Sequence, residues 1–403
     1  MESGAHEGYR PGSSSYRRLA LALFLAGVAT FAQLYSPQAV LPQIAADLHV
    51  GAAGAALSLS LATLGVAVGV IPWSLVSDHI GRVPAMSFAL VAATACALAV
   101  AWAPTLPLLL AGRFVEGLMV GAVPAVALAY LAEEVDPLHA TRAAGTYVAG
   151  TTVGGLLGRV VAGPIAAATT WSVGVFAVAL LCAVAAALFL ALVPHSRGFT
   201  APQPGWRPAG AGAVHRVVAN LRAPRQLSLY AQAFLLMGGF VALYNFLVFR
   251  LAGPPFDLPQ ALVSLIFVAY LAGTWSSSAA GVLASRIGRR PVLVAGTVTM
   301  MAGVGLTLSR LLVLVLVGLV VATAGFFAAH AVASGWTAYE ATTGRAQASS
   351  LYILAYYAGS SVFGWLGGVF FDRAGWTATA ALILALALTA AALALLVLRP
   401  ARA

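Results

Sequence analysis

The chain is 403 residues long, 61% hydrophobic and only 8% charged, with a mean hydropathy of +0.95. Soluble domains carry about 25% charged residues, so a soluble globular fold is excluded. All 21 basic residues are arginine, which rules out lysine Schiff-base chemistry such as retinal binding. The net charge of +10 sits mostly in short segments between apolar runs, a distribution that speaks against nucleic acid as a partner.

The N-terminal stretch MESGAHEGYRPGSSSYRR is polar and predicts a disordered cytoplasmic tail over residues 1–18. The apolar run after it is too long for a signal-peptide core and reads as a retained span. Runs of about twenty apolar residues then recur along the chain. Lipid offers the backbone no hydrogen-bond partners, so such runs form helices. Twelve spans follow in order: 19–46, 53–76, 84–103, 106–132, 143–166, 171–194, 227–250, 260–284, 291–309, 311–337, 347–370 and 375–398. The polar segment 195–226, rich in Pro, Gly and Arg, reads as a linker between six-helix bundles at 19–194 and 227–398, with a tail at 399–403. Cys96 and Cys182 lie inside apolar runs and imply no disulfide framework.

Arginine placement sets the expected orientation. With the N-terminus inside, sixteen arginines fall in cytoplasmic segments, and only Arg250, Arg310 and Arg373 in outer loops. Both termini are therefore expected in the cytoplasm of a cell whose inner (cytoplasmic) membrane holds the chain. The two halves also echo each other. YVAGTTVGGLLG (147–158) matches YYAGSSVFGWLG (356–367), and SDHIGRVP (77–84) matches SRIGRRP (285–291) at the IGR core. Two related six-helix halves form a transporter layout.

SLVSDHIGRVP resembles the loop signature GxxxDxxGR of the major facilitator superfamily, through Asp78, Gly81 and Arg82. GVLASRIGRR repeats it with Gly281, Gly288, Arg289 and Arg290, while Ser285 replaces the acid. LLAGRFVEGLMVGA (109–122) resembles the family's helix 4 motif, with Arg113, Gly117 and Gly121 in place and Glu116 where glutamine is usual. GTTVGGLLGRVVAGP resembles the helix 5 motif of the 12-helix drug:proton antiporters through Gly150, Gly163 and Pro164, with Arg159 replacing a glycine. The resemblance implies an all-α membrane fold of twelve transmembrane helices in two pseudo-symmetric bundles. It also implies alternating access and proton-coupled efflux of small organic compounds or drugs, with import or passive facilitation of a small polar or anionic solute as the alternative.

The residues themselves suggest roles. Gly81 suits a tight turn, and Asp78 favours the positive end of a neighbouring helix. Arg82 can pair with Glu133 and Glu134, a gating role shared by Gly288 and Arg289 in the second copy. Deep in the spans lie Arg113, Glu116 and Arg159. Intramembrane charges cost about 2.5–3.5 kcal/mol or more when they face lipid, so they turn to a cavity or a partner. Arg113 and Glu116 are three apart and share a helical face. Glu116 is the expected proton acceptor, tuned by Arg113, and Arg159 is expected to bind a substrate group or compete for Glu116. A static ion pair between the two helices is the plain structural reading. Gln33, Tyr35 and Gln38 beside Pro37, then Tyr244, Asn245, Phe327, His330 and Tyr356, are further cavity candidates. For His330 a neutral imidazole bonded to a neighbouring helix is the plainer reading, and for the aromatics, packing.

No P-loop is present, which leaves ATP out as direct driver. Neither HExxH nor GxSxG occurs, the histidines are scattered, and no filter-like signature supports a channel. No enzyme activity, cofactor or metal is expected. The expected partners are a small-molecule substrate, protons and the lipid bilayer around a monomeric chain.

Overall fold

A computed structural model describes residues 8–199 and 210–398. Residues 1–7 of the expected tail, 200–209 of the expected linker with Arg207, and 399–403 with Arg399 and Arg402 lie outside the described residues. Each apolar run forms a helix. In chain order these are α1 (Ser14–Asp47), α2 (Ala52–Ile80), α3 (Arg82–Val100), α4 (Leu106–Glu134), α5 (Ala140–Ala168) and α6 (Trp171–Leu192). A short helix α7 (Gly210–Arg222) precedes α8 (Pro224–Ala252), α9 (Gln260–Ile287), α10 (Arg289–Leu306), α11 (Leu312–Glu340) and α12 (Arg345–Leu396).

At 52 residues α12 is far longer than one crossing needs, about twenty residues. Its backbone leaves helical geometry at Ala374 and Gly375, where Gly375 has a φ of 65°, so α12 holds two spans. Counting its arms separately and setting α7 aside gives the twelve expected spans. Ten helices, α12 among them, are long and apolar enough to cross a membrane. The 18-residue α10, with Arg289 and Arg290 in its first turn, joins them in the count.

Contacts divide the chain into two units. The first comprises Met1–Val40 and Leu61–Trp206, the second Leu41–Ser60 and Arg207–Ala403. This division differs from the expected boundaries at two places. Residues 41–60 pack with the second unit, where the Asp372 carboxylate accepts hydrogen bonds from the backbone N–H groups of Ala52 (2.8 Å) and Ala53 (3.0 Å). Those N–H groups open α2 and have no partner within the helix, so a carboxylate there also meets the positive end of its dipole. The expected linker is also partly structured, since its end folds as α7 and Asn220 donates to the Thr343 carbonyl at 3.0 Å.

Within the first unit, α5 packs on α1 along Gly150, Gly154 and Gly158. A Cβ at any of them would run into the backbone of Phe24, Val28 or Ala32. Gly65, Gly69 and Gly117 bring α2 and α4 together in the same way. In the second unit Gly296, Gly303, Gly318 and Gly325 seat α10 against α11. Without a hydrophobic drive between helices in lipid, such close backbone approach supplies the packing energy.

The predicted disordered tail needs correction. Its described part is anchored: Tyr9 donates its N–H to Glu134 O at 2.7 Å and accepts from the Asp136 N–H at 3.2 Å. Ser13 then caps α1, its hydroxyl accepting from the Tyr16 N–H at 3.2 Å. A polar composition concealed this pairing because its partner lies in the loop after α4.

Candidate functional site

The site in the first unit begins with a break in α1. Residues Ser14–Tyr35 are α-helical, Ser36–Val40 tighten to a 3-10 turn, and Leu41–Asp47 resume the α-helix. Pro37 accounts for the break. It has no N–H for the carbonyl of Gln33, four residues earlier, so that carbonyl loses its helical donor.

The Ser36 hydroxyl, 3.2 Å away, and Arg113 on α4 take that place together. The Arg113 guanidinium donates to Gln33 O at 3.2 Å and to Leu34 O, and its Nη1 lies 2.6 Å from Glu116 Oε2. Arg113 is 1% exposed and Glu116 fully buried. The pair satisfies the demand that buried charges be compensated, and the planar fork of arginine spans three acceptors that a lysine could not reach together. The other carboxylate oxygen, Oε1, has no hydrogen-bond partner among the described residues, nor have the side-chain oxygen and nitrogen of Gln33. Buried polar atoms are normally paired, so these three are the atoms to which a water, a proton or a polar ligand group would bond.

Arg159 on α5 is 2% exposed and lies beside this pair's helices on the same α1 break. Its Nε donates to Gln38 Oε1 at 2.7 Å, its Nη1 to the Gly155 carbonyl at 2.5 Å, and its guanidinium sits 4.3 Å from the centre of the Tyr35 ring. Glu116 therefore pairs with Arg113, while Arg159 is held by Gln38, Gly155 and Tyr35. Three of the expected cavity residues, Tyr35, Gln38 and Arg159, thus meet at the α1 break, and Gln33 stands two residues before Tyr35. The role of the Gln33 and Leu34 carbonyls was missed in the sequence, although a proline four residues after Gln33 was the available signal.

The candidates in the second unit form a separate aromatic core. Tyr244 and Thr323 share a hydrogen bond of 2.7 Å, and Phe240 stacks on Phe326 at 3.9 Å between ring centres. Phe327 meets Phe240 edge-on at 5.5 Å and Tyr270 at 5.8 Å. His330 continues the series: its Nδ1 and the Tyr352 hydroxyl are 3.0 Å apart, and its ring lies 5.0 Å from Tyr356. Asn245 is buried beside Gly364. Phe240, one apolar residue in an apolar run, and Thr323, one of several small hydroxyls in the spans, carried no signal that singled them out in the sequence.

The loop motifs take a common backbone form. Gly81 (φ 98°, ψ 158°) and Gly288 (φ 94°, ψ 157°) join α2 to α3 and α9 to α10 in a region open to glycine alone. Arg82 makes hydrogen bonds to both oxygens of Glu133, 3.0 and 3.2 Å from Nε and 2.8 Å from Nη2, and an ion pair to Asp78. Glu134, expected as a second partner, instead accepts the backbone N–H groups of Arg197 (2.5 Å) and Gly198 (2.8 Å). Asp78 serves Arg82, one turn along, in place of a helix end.

The Major Facilitator Superfamily profile matches residues 20–273. The MFS-type transporter YybF of Bacillus subtilis is 35% identical over 374 residues, covering 93% of this chain and 92% of that protein. The inner membrane transport protein YnfM of Escherichia coli is 38% identical over 372 residues, covering 92% and 88%. Among solved structures, a bacterial homolog of the human lysosomal transporter Spinster aligns with a TM-score of 0.77 at 16% identity, over 96% of this chain and 97% of that one. The nucleoside transporter NupG aligns at 0.74 and 15% identity, over 94% and 97%. At such identity these structures show the fold. The relatives are transporters rather than enzymes, and this chain, a multi-pass membrane transporter, belongs to the Major Facilitator Superfamily.

Proposed function

We propose that the chain is a proton-coupled exporter of small organic compounds, working by alternating access as a monomer in the cytoplasmic membrane with both termini inside. The observation that carries this reading is Glu116: fully buried, with one oxygen on Arg113 and the other without a hydrogen-bond donor among the described residues. An intramembrane acid is a functional site by default, and a free carboxylate oxygen is where a proton can be taken up. Protonation there removes the negative charge facing Arg113, which also donates to the carbonyls of Gln33 and Leu34 at the α1 break. Proton occupancy is in this way coupled to the irregular stretch of α1 that also holds Gln38 and Tyr35 against Arg159. Arg159 is the proposed anchor for a polar or anionic group of the substrate. The direction of export follows the helix 5 resemblance.

The test is transport in proteoliposomes under an imposed pH gradient, with fluorescent organic cations and anions as probes. Export predicts that the parent moves protons against probe and that Glu116→Gln abolishes this exchange. A Glu116→Gln variant that acidifies the lumen like the parent overturns the coupling role. The second reading, import or facilitation of a polar or anionic solute, is favoured by the buried guanidinium of Arg159, and proton and probe moving in the same direction would establish it.

A further inference from the structure

The second copy of the loop signature has lost its acids and gained a cavity. In the first unit, Arg82 is clamped between Asp78 and Glu133. Aligning the two IGR cores places Ser285 at the position of Asp78. Aligning YLAEEV (130–135) with WTAYEA (336–341) places Tyr339 at the position of Glu133. The structure bears out that alignment, because Arg289 lies 3.7 Å from the centre of the Tyr339 ring, as Arg82 lies on Glu133. Two carboxylates have thus become a hydroxyl and a phenol, while Arg290 replaces Val83.

A cleft of about 800 Å³ opens where these residues meet, lined by Arg225, Arg289, Arg290 and Arg345 together with Tyr339 and Glu340. An adjoining cleft of about 500 Å³ shares Gly288, Arg289 and Trp336 with it. Of the four arginines only Arg225 has a carboxylate in reach among the described residues, Glu340 at 2.8 Å. Arg290 is held by the neutral carbonyls of Ala394 and Leu395, which leaves its charge uncancelled. The first turn of α10 also ends at the cleft, with no side chain capping it at Gly288.

We propose that this cleft binds a phosphate group, with the headgroup of an anionic phospholipid as its source. Guanidinium forks match phosphate oxygens in pairs, and uncapped N–H groups at a helix start add to the same field. Basic pockets between helices on the cytoplasmic side are suited to such headgroups. The orientation proposed above puts the cleft on that side. Exposed Ile287 lines the cleft, and exposed Leu283 one turn before it on α9 adds apolar surface for an acyl chain. The site is remote in sequence and chemistry from Glu116 and Arg159, and it stands whether or not the chain couples to protons.

Thermal unfolding of the full-length purified protein in detergent tests it. The additions are phosphatidylglycerol, phosphatidylcholine, and inorganic phosphate against chloride at equal ionic strength. Phosphatidylglycerol should raise the Tm of the parent and phosphatidylcholine should not. A shift with inorganic phosphate as well assigns the site to soluble phosphate, and a shift with the lipid alone to the headgroup. Ser285→Asp and Tyr339→Glu rewrite first-half chemistry onto the second half, so both should fold yet bind about tenfold more weakly or worse. Arg289→Gln with Arg345→Gln should lose the shift altogether. If neither ligand moves the parent, or if Ser285→Asp and Tyr339→Glu respond like the parent, the proposal is overturned.

Discussion

Arg113 shares with the Ser36 hydroxyl the hydrogen-bonding vacancy at Gln33. The carbonyl of Gln33 lies 3.2 Å from Arg113 Nη1 because the residue four places on is Pro37 and has no N–H to offer. A helix-breaking residue on α1 and a cation on α4 are thereby parts of one device, with Glu116 as its counter-charge. Removing a single member of a buried pair leaves an uncompensated charge and costs about 3–5 kcal/mol, whereas replacing both with apolar residues is often close to neutral. Arg113→Leu is therefore expected to lower the Tm of the purified transporter sharply. The double variant Arg113→Leu with Glu116→Leu should recover most of that loss while remaining inactive. Equal loss in the single and double variants would show that the ion pair is not what holds α4 to the α1 break.

Arg159 offers a sharper separation of charge from geometry. Its guanidinium donates to Gln38 and to the Gly155 carbonyl while stacking on Tyr35, three demands met by one plane. An ammonium keeps the charge but neither stacks nor forks. Arg159→Lys should fold, retain a buried cation, and raise the KM for substrate about tenfold or more, while proton movement dependent on Glu116 persists. An unchanged KM in Arg159→Lys and in Gln38→Ala would take this corner of α1 out of the substrate path.

The helices were legible because lipid forces apolar runs into helices, and the loop glycines because Gly81 and Gly288 sit where only glycine can. Rotation about a helix axis was not legible. Glu133 and Glu134 are neighbours in sequence, yet successive residues are about 100° apart on a helix, so only one reaches Arg82. The same turn separates Arg159 from the packing ridge. Gly150, Gly154 and Gly158 form the ridge against α1, and Arg159 stands one position off it, beside rather than within the ladder. Its second-half counterpart, Gly368, is closed by the backbone of Ala53, so the two copies use the position in opposite ways. The anchored tail was hidden for another reason: backbone pairing of Tyr9 with Glu134 and Asp136 leaves no mark on side-chain composition.

The glycine ridge itself is open to a paired measurement. A Cβ at Gly154 meets the carbonyl oxygen and Cα of Val28 at 2.5 and 2.7 Å, and backbone cannot step aside as a side chain can. Gly145, on the same helix, has nothing within 4 Å of a Cβ. Overpacking costs about 1–3 kcal/mol, whereas alanine in an open helical position is favoured by about 0.5–1 kcal/mol. Gly154→Ala should lower the Tm and Gly145→Ala should hold or raise it. A pair of equal shifts would mean that α1 and α5 are not locked through this ridge.

The N-terminal strap should respond to acid. Asp136 accepts the Leu138 N–H at 3.0 Å and the Arg10 Nε at 2.9 Å, and these, the backbone donor first, hold its carboxyl below the ordinary aspartate range. A group whose folded value is depressed contributes its stabilisation above the unfolded value, about 3.9 for aspartate, and loses it as pH falls through the folded one. Protection of the Tyr9 and Asp136 amides against hydrogen exchange should therefore hold level from neutral pH down to about 5 and weaken below about 4, after correction for intrinsic rates. Asp136→Asn keeps an acceptor for Leu138 but drops the charge facing Arg10, so its protection should start lower and change little with acid. A parent strap whose protection is insensitive to acid across that range would mean that backbone pairing with Glu134 and Asp136, without the Asp136 carboxylate, holds residues 8–10 in place.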